Sequence, residues 1–272
     1  GYQRLWEMMQ ATWETRGVVE GHGSGLFSVD DISAFAAAGL SSDHSIRLAK
    51  EGWDKIKRGV FAQMKPDAIA AVIPYVLEKG IQDWSHMSVS TDDRDVAASL
   101  ELGTMDYNVR LAIEAGAPPE KAYAMASLYP ARHWQVEHLV GSIAPGRYAD
   151  IVLLSNPETV AIEQVYANGQ LAYKNGEYVL PIPEVTYPDW AYDTINIGKM
   201  LTAEDFVIQA PSGKSAEVDA AILEMFYFEE DFKTYQLPVR DGVVERDGDQ
   251  GVTKCALIDR YHGNGKVAKM FW

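Results

Sequence analysis

The sequence lacks the features that define several common classes of protein. Cys255 is the one cysteine among 272 residues, which excludes an internal disulfide and a cysteine-rich metal site and fits a reducing, cytoplasmic compartment. No apolar run approaches the roughly 20 residues that a membrane-spanning helix needs. Basic residues are scarce, since 24 Lys and Arg stand against 39 Asp and Glu. The formal charge of −15 therefore argues against nucleic acid or an anionic membrane as a partner.

Several catalytic signatures are absent as well. The sequence contains no glycine-rich phosphate loop of either common type, no Gly-x-Ser-x-Gly turn and no His-Glu-x-x-His helix. Cys255 has no adjacent base and no second cysteine, so we do not expect it to act as a nucleophile. These absences argue against the commonest nucleotide hydrolases, dinucleotide-dependent enzymes, serine hydrolases and zinc proteases.

The sequence does contain an alternation of short apolar strands and helices. Strands are predicted at 17–22, 39–44, 59–64 and 84–90. The helix after the first strand is expected to be capped by Asp30 or Asp31. Units of this size without hairpin turns indicate parallel strands joined by crossover helices. The pattern predicts an α/β fold that forms half of a TIM-type barrel, whose active site lies at the carboxyl ends of the strands.

The pattern changes along the rest of the chain. Further helices are predicted at 106–115, 119–128 and 131–138. The chain is then expected to divide into a partial barrel (1–140), a small β module with a proline-containing linker (141–190), and the beginning of a third domain (191–272). Two Asn-Gly pairs within the module, 168–169 and 175–176, predict hairpin turns.

Three residues at or near predicted strand ends form the sharpest chemical pattern. His22, His44 and Asp92 are imidazole and carboxylate groups that suit Zn²⁺, Fe²⁺ or Mn²⁺. Singly, each is most simply a surface or hydrogen-bonded residue. Because parallel strands bring their carboxyl ends to one edge, we interpret the set as a metal site. Asp92 would also serve as a base.

Two further aspartates are weaker candidates. Asp43 is expected either to orient a neighbouring histidine or to stabilise a turn. Asp93 would orient substrate or, more commonly for such a residue, cap a helix that starts at Arg94. The sequence indicates no partner for His133.

Several segments together resemble a known family. Their residues are 20–26 (EGHGSGL), 38–44 (AGLSSDH), 91–94 (TDDR), 106–110, 112–116, 124–127, 141–150 and 258–262. In this order and at these spacings they resemble the adenine deaminase family of the amidohydrolase superfamily. The resemblance extends over nearly the whole chain, which we expect to be incomplete at both ends. The chain begins at Gly1 rather than methionine, in keeping with that expectation.

The resemblance implies both a fold and a reaction. The fold would be strands 5–8 of a (β/α)8 metal-dependent hydrolase barrel, a β-sandwich segment and the start of an α+β C-terminal domain. The reaction would be hydrolytic deamination of adenine to hypoxanthine and ammonia. His22, His44 and Asp92 would bind Mn²⁺ or Fe²⁺, with Zn²⁺ as an alternative, and Asp92 would carry a proton to the departing ammonia. The partner would be a small purine base, and exposed sheet edges would allow a homo-oligomer.

The sequence also departs from the family pattern. It contains no counterpart of the family's first-strand His-x-His pair or fourth-strand carboxylate, so the isolated chain is expected to be inactive. Ser45 stands where the family usually has glutamate, and residues 64–67 replace a string rich in Arg, Glu, Gly and Ser. Two alternatives therefore stay open: an amidohydrolase that acts on a related amine-bearing heterocycle or cyclic amide, and a non-catalytic fragment.

Overall fold

A computed structural model describes residues 2–211, 215–221 and 232–272. The chain divides into two compact units, Gly1–Ile182 and Pro183–Trp272. Among the described residues, no helix is both long and apolar enough to cross a membrane.

The first unit contains eight helices and seven strands within its described residues. Its helices are α1 (Tyr2–Glu14), α2 (Val29–Ala37), α3 (Ala49–Ile56), α4 (Pro66–Glu78), α5 (Val96–Leu102), α6 (Met105–Glu114), α7 (Pro119–Met125) and α8 (Leu128–His133). Its strands are β1 (Ser42–Asp43), β2 (Phe61–Met64), β3 (Met87–Val89), β4 (Ile151–Asn156), β5 (Ala161–Ala167), β6 (Gln170–Lys174) and β7 (Glu177–Tyr178).

The first three strands form a parallel sheet in the order β1-β2-β3. Helix α3 connects β1 to β2, and α4 connects β2 to β3, as the strand–helix alternation predicted. The predicted strand at 17–22 is shorter than expected, because only Gly21 forms a bridge, to Asp43. Strands are depleted in glycine, and this segment contains Gly17 and Gly21 and is followed closely by Gly23 and Gly25. The mixed α/β fold is thus confirmed.

The two faces of this sheet differ in chemistry, because successive strand residues point to opposite sides. One face carries Ala62, Met64, Met87 and Val89, all buried in the same apolar core. Helices α4, α6 and α7 supply the other side of that core, with residues that include Ile69, Val72, Ile73, Val109, Ala112, Ala122 and Met125. The opposite face carries the polar side chains of Ser42, Gln63 and Ser88 together with the buried ring of Phe61. Helices α4, α6 and α7 therefore pack on one face, while the ring of His133 at the end of α8 stacks on Phe61 from the other.

Helices α3 and α4 approach each other closely at a glycine. A Cβ atom placed on Gly52 would lie 2.6 Å from Cγ2 of Val72. Real Cβ contacts are not this short, so only glycine fits at this position without a shift of α4. This contact fixes the helix that leads into β2 against the helix that leaves it.

Two predicted helix caps are assigned to the wrong residues. Ser28, not Asp30 or Asp31, caps α2, because its hydroxyl accepts a hydrogen bond from the N–H of Asp31. Asp95 rather than Asp93 caps α5, since its carboxylate accepts from the N–H of Ala98. At both helix starts the residue immediately before the first helical residue has the geometry to cap, and the neighbouring aspartates do not.

The helix predicted at 131–138 is also displaced, since the structure places α8 at Leu128–His133. Pro130 lies in the first turn of this earlier helix, where proline is tolerated.

The β module of the first unit is an antiparallel sheet in the order β4-β5-β6-β7. Both Asn-Gly pairs have positive φ at both residues, as two-residue hairpins require: Asn168 (49°), Gly169 (77°), Asn175 (55°) and Gly176 (89°). The two predicted hairpin turns are confirmed. The described residues contribute one sheet to this module.

The second unit is a β structure in its described residues. Strands β8 (Ser215–Ala221), β9 (Phe232–Arg240), β10 (Val243–Val244), β11 (Lys254–Ile258) and β12 (Val267–Phe271) form a sheet in the order β10-β9-β8-β12-β11. Leu237, Val244 and Phe271 lie in its own apolar core. A 3₁₀ helix covers Ala203–Phe206 ahead of these strands.

Candidate functional site

Candidate residues follow the strand ends along one edge of the parallel sheet. His22 follows the bridge at Gly21, and His44 follows β1 directly. Lys65 follows β2, and Asp92 lies three residues beyond the last residue of β3. Because these strands are parallel, their carboxyl ends lie at the same edge.

The two histidines are in direct contact. Nδ1 of His22 and Nε2 of His44 are hydrogen-bonded at 3.0 Å, and the rings pack edge-to-face with centroids 4.7 Å apart. The second ring nitrogen of His22, Nε2, is hydrogen-bonded to the hydroxyl of Ser24 at 2.8 Å. His22 is exposed and His44 is half-buried, so the pair is open to solvent.

This pair has the chemistry and spacing of two ligands to one ion. Two nitrogen ligands about 2.0–2.1 Å from a tetrahedral ion lie roughly 3.3 Å apart, close to the observed separation. Within residues 2–211, 215–221 and 232–272, no three histidine, cysteine or acidic side chains are grouped so that they could hold a metal ion. The structure therefore brings together two of the three predicted ligands, His22 and His44.

Asp92 lies at the same edge, in an ion pair. Its Oδ2 atom is 2.8 Å from Nζ of Lys65. The hydrogen bond from Lys65 lowers the pKa of Asp92; burial opposes this effect, and the charges of Lys65 and His44 and the N–H of Asp93 reinforce it. Asp92 also has φ of 50°, in the left-handed region that aspartate enters more readily than most residues. The result is an ionised carboxylate held near His44.

Asp43 lies behind the histidines rather than beside them. Its side chain is fully buried and is in register with Ala62, on the apolar face of the sheet. Its Oδ1 atom accepts hydrogen bonds from the N–H of Gly23 at 2.9 Å and of Ser45 at 2.8 Å. Gly23 and Ser45 are the residues directly after His22 and His44, so one carboxylate binds the backbone of both histidine segments.

The pKa of Asp43 reflects this environment. Burial raises the pKa, but the charge of Lys55 and its hydrogen bond, together with the two backbone N–H groups, outweigh burial and hold the pKa below its ordinary value. Asp43 is therefore an ionised group inside the protein.

Asp93 is exposed next to Asp92. Its backbone N–H donates a hydrogen bond to the carboxylate of Asp92. A direct role of the Asp93 side chain stays a prediction.

The sequence did not reveal a polar network on the same face as Ser42 and Gln63. The carboxylate of Glu20 accepts from the hydroxyl of Ser42 and, at 2.7 Å, from the amide of Gln63. Its other oxygen lies 2.6 Å from Nε2 of His133, whose ring stacks on Phe61. Glu20 and His133 are 113 residues apart, so no local pattern could have paired them.

Comparisons with known proteins show which proteins the chain resembles. A family model described as the amidohydrolase family matches residues 14–172. An adenine deaminase 2 of Bradyrhizobium diazoefficiens and one of Jannaschia sp. are each 46% identical over 271 residues, which cover 100% of this chain and 43% of either relative. An adenine deaminase of Ruegeria sp. is 32% identical over 277 residues, or 100% of this chain and 45% of that relative. The chain thus spans less than half the length of these curated relatives.

Among solved structures, a β-aspartyl dipeptidase of Fervidobacterium islandicum matches with a TM-score of 0.46 and 20% identity, over 60% of this chain and 48% of that one.

Proposed function

The chain belongs to the amidohydrolase family, and on that premise we propose that the protein from which it comes hydrolyses adenine to hypoxanthine and ammonia. The observation that carries the proposal is similarity along the whole chain to relatives named adenine deaminase. Because the chain covers less than half of those relatives, the activity is proposed for the whole protein and not for this chain alone.

The proposal includes an architecture. Residues 1–140 would supply strands 5–8 of a TIM-type barrel, residues 141–190 a segment of a β-sandwich, and residues 191–272 the start of an α+β domain. Support comes from the parallel order of β1, β2 and β3 and from their crossover helices, which are the repeating unit of such a barrel.

His22 and His44 are proposed to hold a divalent cation, Mn²⁺ or Fe²⁺, with Zn²⁺ as the alternative. When bound, such a cation makes water nucleophilic near neutral pH by lowering its pKa. Asp92 is proposed as a third ligand, and this role would replace the ion pair that Lys65 now makes with its Oδ2.

The chain's own proton chemistry is proposed to reside in Asp92. An amine is a poor leaving group, so deamination needs a group that takes a proton from water and delivers it to the departing nitrogen. Asp92 is ionised and lies near His44, which makes it the proposed carrier. Asp43 is proposed to act indirectly, because it holds the backbone after each histidine.

A second substrate class is favoured by one observation. Ser45 is buried, and its hydroxyl has no hydrogen-bond partner among the described residues. Glutamate is usual at this position in the family that the sequence resembles, so the surroundings of His44 differ. A related amine-bearing heterocycle or a cyclic amide is therefore the alternative substrate.

The test is ammonia release by the full-length protein loaded with Mn²⁺ or Fe²⁺. Adenine should release ammonia, and Asp92→Asn should reduce kcat by about 10²–10⁴-fold, the usual contribution of general acid–base catalysis. The matched control is Asp30→Asn, since Asp30 is an exposed residue in the first turn of α2. Metal-loaded protein that releases no ammonia from adenine but does so from another heterocycle would establish the alternative. Activity that survives Asp92→Asn would remove Asp92 from the mechanism.

A further inference from the structure

A lysine is buried between two carboxylates beneath the histidine pair. The Lys55 side chain, from the last turn of α3, is fully buried. Its ammonium group forms ion pairs with Asp43 and with Glu51, both of which are also buried. Lysine is almost never buried to this extent unless it is paired, so these contacts account for its position in the interior.

The contacts of Lys55 lead to both histidine segments. Its Nζ atom donates to the carbonyl of Gly23 at 3.4 Å and binds Oδ2 of Asp43. The other oxygen of Asp43 accepts the N–H groups of Gly23 and Ser45. Lys55 thus contacts the segment after His22 directly and reaches the segment after His44 through one carboxylate.

The second carboxylate has a different destination. Glu51 accepts the N–H groups of Arg47 and Leu48 at 3.0 and 3.2 Å, and these residues precede α3. Glu51 therefore balances the charge of Lys55 and secures the start of the helix. The two carboxylates each bind Lys55 and two backbone N–H groups, but only Asp43 holds the histidine segments.

We propose that Lys55 is a positioning residue, which sets the separation of His22 and His44 for a divalent cation through Asp43 and Gly23. This inference rests on the proposed role of the two histidines as metal ligands. Groups that orient ligands in this way typically change metal affinity by about 10–100-fold when they are lost.

The experiment measures Mn²⁺ affinity of the intact protein by calorimetric titration in the absence of substrate. Lys55→Met keeps an unbranched apolar stem and removes the ammonium group, and it should weaken Mn²⁺ binding by about 10–100-fold. Ile69→Ala is the control for general destabilisation, because Ile69 is fully buried in the apolar core on α4. It should lower stability and leave Mn²⁺ affinity unchanged. A folded Lys55→Met variant with wild-type affinity would overturn the proposal.

A second pair of variants tests the proposal if Lys55→Met does not fold. Asp43→Asn and Glu51→Gln each remove one of the two negative charges that pair with Lys55. Each variant keeps a side-chain oxygen that can accept the backbone N–H groups. Asp43→Asn should weaken Mn²⁺ binding more than Glu51→Gln does, and an equal or smaller loss contradicts the proposal. Adenine turnover is measured separately, so a protein that binds Mn²⁺ but leaves adenine intact contradicts the proposed function without touching this inference.

Discussion

At the scale of single residues, Gly23 shows how closely the segment after His22 is packed. A Cβ atom on Gly23 would lie 2.9 Å from Oδ2 of Asp43 and 3.0 Å from Cδ1 of Leu26. The carboxylate cannot retreat easily, because the same oxygen is bound by the buried ammonium group of Lys55. Glycine is thus required here by close approach.

Gly23→Ala is expected to destabilise the protein by about 1–3 kcal/mol, the usual cost of overpacking, and to weaken Mn²⁺ binding. Urea unfolding and calorimetric titration measure the two effects. Gly248→Ala is the control, since its Cβ would meet nothing within 4 Å, and its effect should stay within about 0.5 kcal/mol. Equal effects of the two substitutions would contradict the packing argument.

Residue-level prediction from sequence succeeded where neighbours along the strands share an edge. His22 and His44 were expected together because each closes a strand, and their ring nitrogens are in contact. Lys55 escaped notice, because a lysine on an amphipathic helix ordinarily lies in solvent. Its burial depends on two carboxylates, one of which comes from a different element.

At the scale of elements, helix propensity and packing have opposite effects on stability at Gly52, where α3 contacts α4. Glycine inside a helix is less stable than alanine by roughly 0.5–1 kcal/mol, so propensity alone favours Gly52→Ala. The new Cβ would instead lie 2.6 Å from Val72, and we expect a net loss of about 1–3 kcal/mol.

Urea unfolding of Gly52→Ala, Val72→Ala and the double variant measures this competition. Val72→Ala removes the clashing methyl groups, so the double variant should lose less stability than the sum of the single losses. Additive losses would show that α4 does not press on Gly52.

The start of α6 provides a pH-dependent contribution to stability. Asp106 accepts the N–H of Thr104 at 2.8 Å and pairs with Arg110 at 2.9 Å. Burial raises the pKa of Asp106, but the N–H group and the Arg110 guanidinium outweigh it, so the pKa lies below its ordinary value. This stabilisation is therefore complete above the unfolded pKa of about 3.9 and is lost as pH falls through the lower folded pKa.

Asp106→Asn should accordingly be less stable than wild type near neutral pH, and the difference should shrink below about pH 4. Urea unfolding at a series of pH values measures it. A stability difference that is constant across the acidic range would exclude the ionised carboxylate as the cause.

Elements were predicted well where a repeating pattern defines them and poorly at their ends. The parallel strands and the two Asn-Gly hairpins follow from periodicity and from turn chemistry, both of which are local. The caps of α2 and α5 were assigned to neighbouring aspartates, because several side chains at each start can accept the same N–H. The Glu20–His133 contact joins distant parts of the chain, and no local rule identifies it.

At the scale of the whole molecule, the division between the two units falls within residues 181–190. Every one of these residues is exposed, and the two units divide at Ile182 and Pro183. Exposed segments without buried backbone are preferred sites of proteolysis. Limited chymotrypsin digestion should therefore cut after Trp190 before it cuts at any site in β1, β2 or β3. Mass spectrometry of the early fragments checks this expectation, and early cleavage inside the parallel sheet would contradict it.

The division of the parallel sheet into an apolar and a polar face also has an evolutionary consequence. Gln63 on the polar face is half-buried and contacts Glu20, so its substitution exchanges few of the core contacts that hold the sheet to α4, α6 and α7. A change at Gln63 is therefore less restricted by packing than changes at Ser42, Phe61 and Ser88, which are buried on the same face. A lineage that carries this sheet can therefore vary Gln63 and its contact with Glu20 while it keeps the same helices.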